Sequence, residues 1–441
     1  MGTEWTRSLG AEVDAASLAA VRIAFGLLML VAVARYFVHG WIAELFVAPT
    51  YFFPYAGLAW IRPWPGAGMY LHFAALGILA LAIAAGYRTR ASAALFCVGF
   101  TWVHLIDKTN YLNHYYLISL VAGLLAVLPA DRAASLDARR RPEHAAATVP
   151  AWAVWALRAQ LGLVYVFGGI AKLHPDWLLH AQPLKMWLGA SAGAPLVGPL
   201  LETAWMAYLC SWAGVLFDLS IVPLLLWRRT RPFAYAAVIV FHLLTAWLFP
   251  IGMFPWIMIA LTTVFFAPDW PRRWLRLAPR PAVAAVPERA AAGRLVPAFL
   301  AVHLIVQILL PLRALAAPGA VLWREDGFRF AWRVMVMEKN GLVTFRLRDG
   351  ATGATWTVDP RRRLTPLQAR MMATQPDMIL AFARVLAAEA RARGHAAVEV
   401  RADAFAALNG RPAQRFVDPD VDLLDPGPRA GWILPLQSAD S

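Results

Sequence analysis

Charge is scarce in this chain. Asp, Glu, Lys and Arg make up 15% of its 441 residues, against about 25% in an average soluble domain, so an ordinary water-soluble enzyme is excluded. Cysteine is nearly absent too: Cys97 and Cys210 are the only two, and both fall inside apolar runs. That excludes a disulfide framework or a thiolate metal cluster and leaves them as packing residues. No phosphate-binding G-x-x-x-x-G-K-S/T, no H-E-x-x-H and no G-x-S-x-G is present. His174 and His180 flank Asp176, but the set lacks a closed ligand shell at metal spacing, so no metal is expected. A net charge of +14 raises nucleic acid as a partner. Basic side chains interleaved with aromatics on one soluble face are missing, which excludes it.

Apolar length is what the chain has in abundance. Hydrophobic residues make up 60% of it. Runs near 20 residues, enough to cross about 30 Å of hydrocarbon as helix, begin at Leu18, Met69, Ala91, Asn113, Ala151, Ala204, Phe233, Ile251 and Leu295. About nine membrane-spanning helices are therefore expected. Arginines fill alternate connections: Arg88 and Arg90; Arg132 with Arg139, Arg140 and Arg141; Arg228, Arg229 and Arg231; then Arg272 to Arg294. The intervening connections hold little basic charge. This asymmetry puts the arginine-rich side and the N-terminus in the cytoplasm and everything after about Leu312 outside. Ala32-Val33-Ala34 resembles a signal-peptidase site, but Glu4, Glu12 and Asp14 spoil a basic leader, so the first span is read as retained. The Ala/Arg/Pro-rich segment from Ala278 to Ala292 reads as a cytoplasmic linker.

Beyond Pro311 the pattern changes. Alternation in Phe328 to Val334 and Val343 to Leu347 predicts strands, with a turn at Asp349 to Gly353 and a return strand Thr355 to Val358. Pro366 to Arg393 predicts one helix, and Val398 to Arg401 with Gln414 to Val417 a second hairpin turning near Asn409-Gly410. The fold class is thus an all-α polytopic membrane domain, residues 1–313, with a C-terminal external α+β domain, residues 314–441.

Chemistry is to be sought among the few polar groups beside the spans. Lys172 ends a long apolar run, and an ionisable residue there is a functional candidate. Lysine also gives up its proton readily on burial; the same position equally suits an amine that snorkels to anchor the helix end. His114 opens a span, His242 precedes the turn Phe249 to Met253, and Asp218 interrupts Trp212 to Trp227. Asp107 and Lys108 are expected to pair with each other.

Several runs together resemble the vitamin K-dependent γ-glutamyl carboxylase family, including its bacterial members with the HTTM domain. They are Asp107-Lys108-Thr109 with Asn113-His114, Gly169-Ile170-Ala171-Lys172-Leu173 ahead of Asp176-Trp177, and Phe241-His242 leading to Phe249-Pro250-Ile251-Gly252-Met253-Phe254. Ala267 to Arg272, Arg348 to Gly353 and Phe416 to Pro419 extend the match in the same order, from about Ala15 to Leu436.

The resemblance implies a membrane enzyme acting on a glutamate-containing peptide or protein, with vitamin K hydroquinone (or a related menaquinol) as cofactor and O2 and CO2 as co-substrates. It implies catalytic roles for Lys172, which deprotonates the hydroquinone, and for His114, which stabilises developing charge. Asn113, His242 and Met253 are the implied cofactor-binding residues. In the family, the oxygenated quinone yields an alkoxide that takes the glutamyl γ-proton, CO2 adds to the carbanion, and the quinone leaves as its epoxide. The chain departs from the vertebrate pattern at Met337, where a histidine is expected, and lacks the cysteines of the vertebrate disulfide. A quinone monooxygenase without carboxylation and a non-catalytic quinone- or lipid-binding protein remain as alternatives. Short loops rich in Ala and Arg suggest a bacterial inner membrane, with the C-terminal domain periplasmic. Alkaline phosphatase fused after Ser441 should be active; an inactive fusion, with an active cytoplasmic reporter at the same site, would reverse the orientation.

Overall fold

The computed structural model describes residues 9–276, 295–316 and 319–437; the segment read as a linker lies outside them. Nine apolar segments are helical: α1 (Ala16–Val38), α2 (Gly68–Ala85), α3 (Thr89–Leu105), α4 (Asn113–Val127), α5 (Ala151–Ala171), α6 (Ala204–Leu226), α7 (Arg231–Leu248), α8 (Phe254–Thr262) and α9 (Leu295–Leu312). Among the described residues six of these are long and apolar enough to cross a membrane, not about nine. The three that fall short are α3, α4 and α8, at 17, 15 and 9 residues; even the longest rises only about 26 Å at 1.5 Å per residue. Local chemistry truncates them. Leu128 is extended ahead of Pro129, as a residue before proline prefers, and stops α4. Gly252 turns the chain with φ +63, delaying the start of α8.

The arginine-rich end of the bundle is tied from within. Arg22, fully buried in α1, donates to the carbonyls of Ile83, Ala84, Ala130 and Ala134 at 2.6–3.0 Å. Those carbonyls belong to the last turn of α2 and to the loop after α4, where a helix runs short of N–H donors for its carbonyls. Arg158 likewise caps Val264 and Phe266 at 2.9 Å. A two-stranded ribbon, β1 (Glu12–Asp14) with β2 (Thr148–Pro150), closes the same end.

The C-terminal domain covers the opposite end. Its antiparallel sheet has the order β4-β3-β5-β6, from β3 (Lys339–Asp349), β4 (Thr355–Val358), β5 (Val398–Leu408) and β6 (Gln414–Arg415). Two helices pack on it, α10 (Pro366–Thr374) and α11 (Pro376–Ala392), where one was expected. Gln375 is extended ahead of Pro376, and the proline breaks the run. The strand expected at Phe328 to Val334 is irregular instead. Phe330, Trp332 and Met335 have φ of 60, 55 and 51, which costs roughly 1–3 kcal/mol each for a side chain and cannot continue a ladder. The strap is held against the bundle: the Phe330 N–H donates to the Tyr111 hydroxyl at 2.6 Å, and Trp332 stacks on Tyr116 at 5.0 Å.

Ion pairs clamp the domain onto the bundle. Lys108 reaches Asp377 at 2.8 Å, not its neighbour Asp107, whose carboxylate accepts from Thr109 and from the Gln368 amide at 2.8 Å. Arg411 and Asn409 grip Asp176 at 2.6–2.8 Å. Burial acts to raise the Asp377 carboxyl, but Arg329 and Lys108 together outweigh it and hold it down at about 2. A carboxyl lowered from its unfolded value of about 3.9 stabilises the docked state above that value and loses its contribution as pH falls through about 2. Docking followed by tryptophan fluorescence should therefore hold at pH 5 and weaken between about 4 and 2, and Lys108→Met should move that loss to higher pH. An unchanged acid profile in Lys108→Met would remove the clamp from the account.

Candidate active site between the bundle and the C-terminal domain

Lys172 caps the C-terminal end of α5, and the close approach of α6 shapes its surroundings. A Cβ at Gly169 would lie 2.6 Å from the Leu219 side chain, so only glycine lets the two helices come this near. Lys172 Nζ then meets Asp218 Oδ2 at 2.7 Å, with both side chains 8% exposed. It also donates to the Gly168 carbonyl at 3.2 Å and lies over Trp177 at 5.6 Å. This pair lines an apolar cavity of about 220 Å³, together with His242 and Tyr165. The His242 Nε2 and Tyr165 hydroxyl are 3.2 Å apart, and Tyr165 continues to the Thr262 hydroxyl at 3.1 Å. His242 Nδ1 is buried with no hydrogen-bond partner among the described residues.

His114, in the first turn of α4, lines a second cavity of about 1140 Å³ with Asn113, Arg35 and Met253. The Asn113 amide donates to the Arg333 carbonyl at 3.2 Å, and its oxygen accepts from Tyr111 at 3.1 Å. His114 packs edge-on to Tyr115 at 4.7 Å and near Phe254 at 6.2 Å. Phe249, Ile251, Phe254, Val334 and Met335 line both cavities. The two spaces therefore abut across a single layer of apolar side chains, and two of those side chains belong to the strap. Met337, also on the strap, lines the larger cavity.

Of the residues singled out from the sequence, Lys172 and His242 share the small cavity, while His114, Asn113 and Met253 share the large one. Asp218, noticed only as an interruption, proves to be the partner of Lys172; a lone carboxylate in a 23-residue apolar helix was the available signal, since it needs a cation. Tyr165 and Arg35 carried no such signal. His174 turns inward on its own loop, its Nδ1 accepting from the Asp176 N–H at 3.2 Å.

Apolar helices, a covering domain and a buried lysine–carboxylate pair beside an apolar cavity define a multi-pass membrane protein with an enclosed polar site. The chain belongs to the vitamin K-dependent γ-carboxylase family with an HTTM membrane domain: residues 11–270 match the HTTM domain, and residues 292–439 match the vitamin K-dependent gamma-carboxylase, lumenal domain. No solved structure matches it.

The ion pair changes what a lysine substitution means. Removing one partner of a buried pair leaves the other charge uncompensated, at a cost of about 3–5 kcal/mol. Lys172→Met should therefore lower the melting temperature, and Lys172→Met with Asp218→Asn should recover most of the loss. A single variant as stable as the parent would show that the pair carries no such coupling.

Proposed function

We propose that this protein is a vitamin K-dependent γ-glutamyl carboxylase of a bacterial inner membrane, with the C-terminal domain on the periplasmic side. The observation that carries the reading is Lys172, held against Asp218 on the wall of an apolar cavity that abuts the one lined by His114 and Asn113. The small cavity suits a quinone ring. Its walls are apolar, and its polar groups, Lys172 and the unpartnered His242 Nδ1, are of the kind that bind a quinone oxygen. When bound with O2, the hydroquinone supplies the strong base that no side chain provides for a carbon acid. Lys172 accepts the hydroquinone proton once its own has passed to the Asp218 carboxylate at 2.7 Å, which leaves the free amine as the base. Tyr165 and Thr262 orient His242. Asn113 is fixed by Tyr111 and the strap. His114 offers a ring nitrogen toward charge developing on the glutamyl side. The layer of Phe249, Ile251 and Met335 keeps water from the reacting groups. Orientation follows from charge: the arginine-rich end faces the cytoplasm, and both cavities lie at the other end, under the C-terminal domain.

A quinone monooxygenase is the second reading, favoured by Met337 standing where the vertebrate enzyme has a histidine. Purified protein given hydroquinone, O2, labelled bicarbonate and a glutamate-containing peptide decides between them. Carboxylation predicts label in the peptide together with quinone epoxide. Epoxide without label supports the monooxygenase, and neither product overturns both. In the carboxylase, His114→Ala should reduce labelling by about 10²–10³ and epoxide formation by less; equal losses with a lowered melting temperature would return His114 to the scaffold.

A further inference from the structure

Gly252 lies in the turn between α7 and α8, and its bare backbone faces two donors. A Cβ there would begin 3.9 Å from His114 Cε1 and Nε2 and 4.0 Å from Arg35 Nη1. His114 and Arg35 thus converge on one point of the large cavity's wall, from α4 and α1 respectively. The gap between them is open because residue 252 has no side chain, and φ +63 makes glycine the residue that fits.

Arg35 is also the cation on this wall that is left over. Lys108 and Arg329 are both engaged by Asp377, at 2.8 and 3.1 Å. Among the described residues no carboxylate lies within 4.0 Å of the Arg35 guanidinium, which rests on the Trp41 ring at 5.2 Å. The acids of the wall are mostly committed as well: Glu325 to Lys339 at 3.1 Å, and Glu338 to the Trp187 N–H at 2.9 Å. Glu44 is the remaining one, and it is exposed. A guanidinium held near a span end, stacked on an aromatic ring and without an anion of its own, suits an incoming carboxylate.

We propose that Arg35, His114 and the open backbone of Gly252 form a carboxylate subsite that grips the γ-carboxylate of a glutamyl side chain. This rests on the carboxylase reading and adds the group that holds the substrate. The chemistry calls for a cation there. Loss of the γ-proton to the base generated from hydroquinone and O2 leaves an electron pair on the carbon next to the carboxylate, and that pair spreads into its oxygens. The result is two negative charges on one small group, offset by the guanidinium and by a ring N–H of His114. Addition of CO2 at the γ-carbon then forms the new carbon–carbon bond and leaves two separate carboxylates. Bicarbonate offers the same oxyanion shape, so the test must tell the two apart.

The measurement needs no quinone. Full-length protein in lipid nanodiscs is titrated with a short glutamate-containing peptide, with its glutamine counterpart and with sodium bicarbonate. The parent should bind the glutamate peptide more tightly than the glutamine one. Arg35→Gln should weaken the glutamate peptide by about 10- to 100-fold, the range of a charged hydrogen bond, and erase the preference. Arg35→Lys keeps the charge without the planar fork, so its Kd should rise by less than in Arg35→Gln; it decides the matter if Arg35→Gln does not fold, and an unchanged Kd in Arg35→Lys would then overturn the assignment. A glutamate preference that survives in a stable Arg35→Gln overturns it too. Weakened bicarbonate with the peptide unaffected reassigns the subsite to carbonate and overturns the glutamyl proposal. A parent with no glutamate preference sinks the carboxylase reading of this cavity along with the subsite.

Discussion

A polar atom inside a helix bundle that faces lipid has no water to turn to, and this constraint organises the molecule. Every charged or hydrogen-bonding group brought into the interior must meet a partner from another helix. Arg22 satisfies it with carbonyls at one end, and Lys172 with Asp218 near the other. Gln160 and Gln307 tie α9 in through one end of each amide, the Gln160 oxygen to His303 at 2.8 Å and the Gln307 nitrogen to the Tyr116 hydroxyl at 2.7 Å. Each such pair fixes the rotation of two helices about their axes, which apolar packing alone leaves loosely specified. The groups that break the rule are then informative. Two among several stand on cavity walls: among the described residues His242 Nδ1 has no partner, and no carboxylate lies within 4.0 Å of the Arg35 guanidinium.

Much of the architecture was legible because periodicity and charge report on environment directly. Nine apolar runs became nine helices, although α3, α4 and α8 are short, α4 ending before a proline and α8 starting after a glycine turn. The proline at 376 was a readable breaker that one long helical pattern overrode. The strap misled for a physical reason. Phe328 to Val334 alternates with a period of two, yet Phe330 and Trp332 lodge against tyrosines of the bundle on a backbone of positive φ, so no ladder forms. Asp107 and Lys108 are neighbours in sequence, but consecutive side chains diverge, and each found its partner in the other domain.

The site was legible one residue at a time and not as a set. Lys172, His114 and His242 stand out because an ionisable group is rare in apolar sequence. Which of them face each other depends on helix rotation and on glycine-permitted approach at Gly169, and neither is written in local spacing. Asp218 was visible and unassigned for that reason. Arg35 was hidden among many arginines, and only its place on the wall beside His114 distinguishes it.

The strap carries one more implication, about inheritance. It lies within the segment that matches the lumenal domain, yet it lines cavities that share their walls with the HTTM match. The boundary between the two matched segments therefore cuts through the chamber and not around it. Joining this membrane bundle to a different covering domain would rebuild the wall at Val334, Met335 and Met337 while leaving Lys172 and Asp218 in place. Such a hybrid would keep the Lys172–Asp218 pair and change the shape of the space beside it.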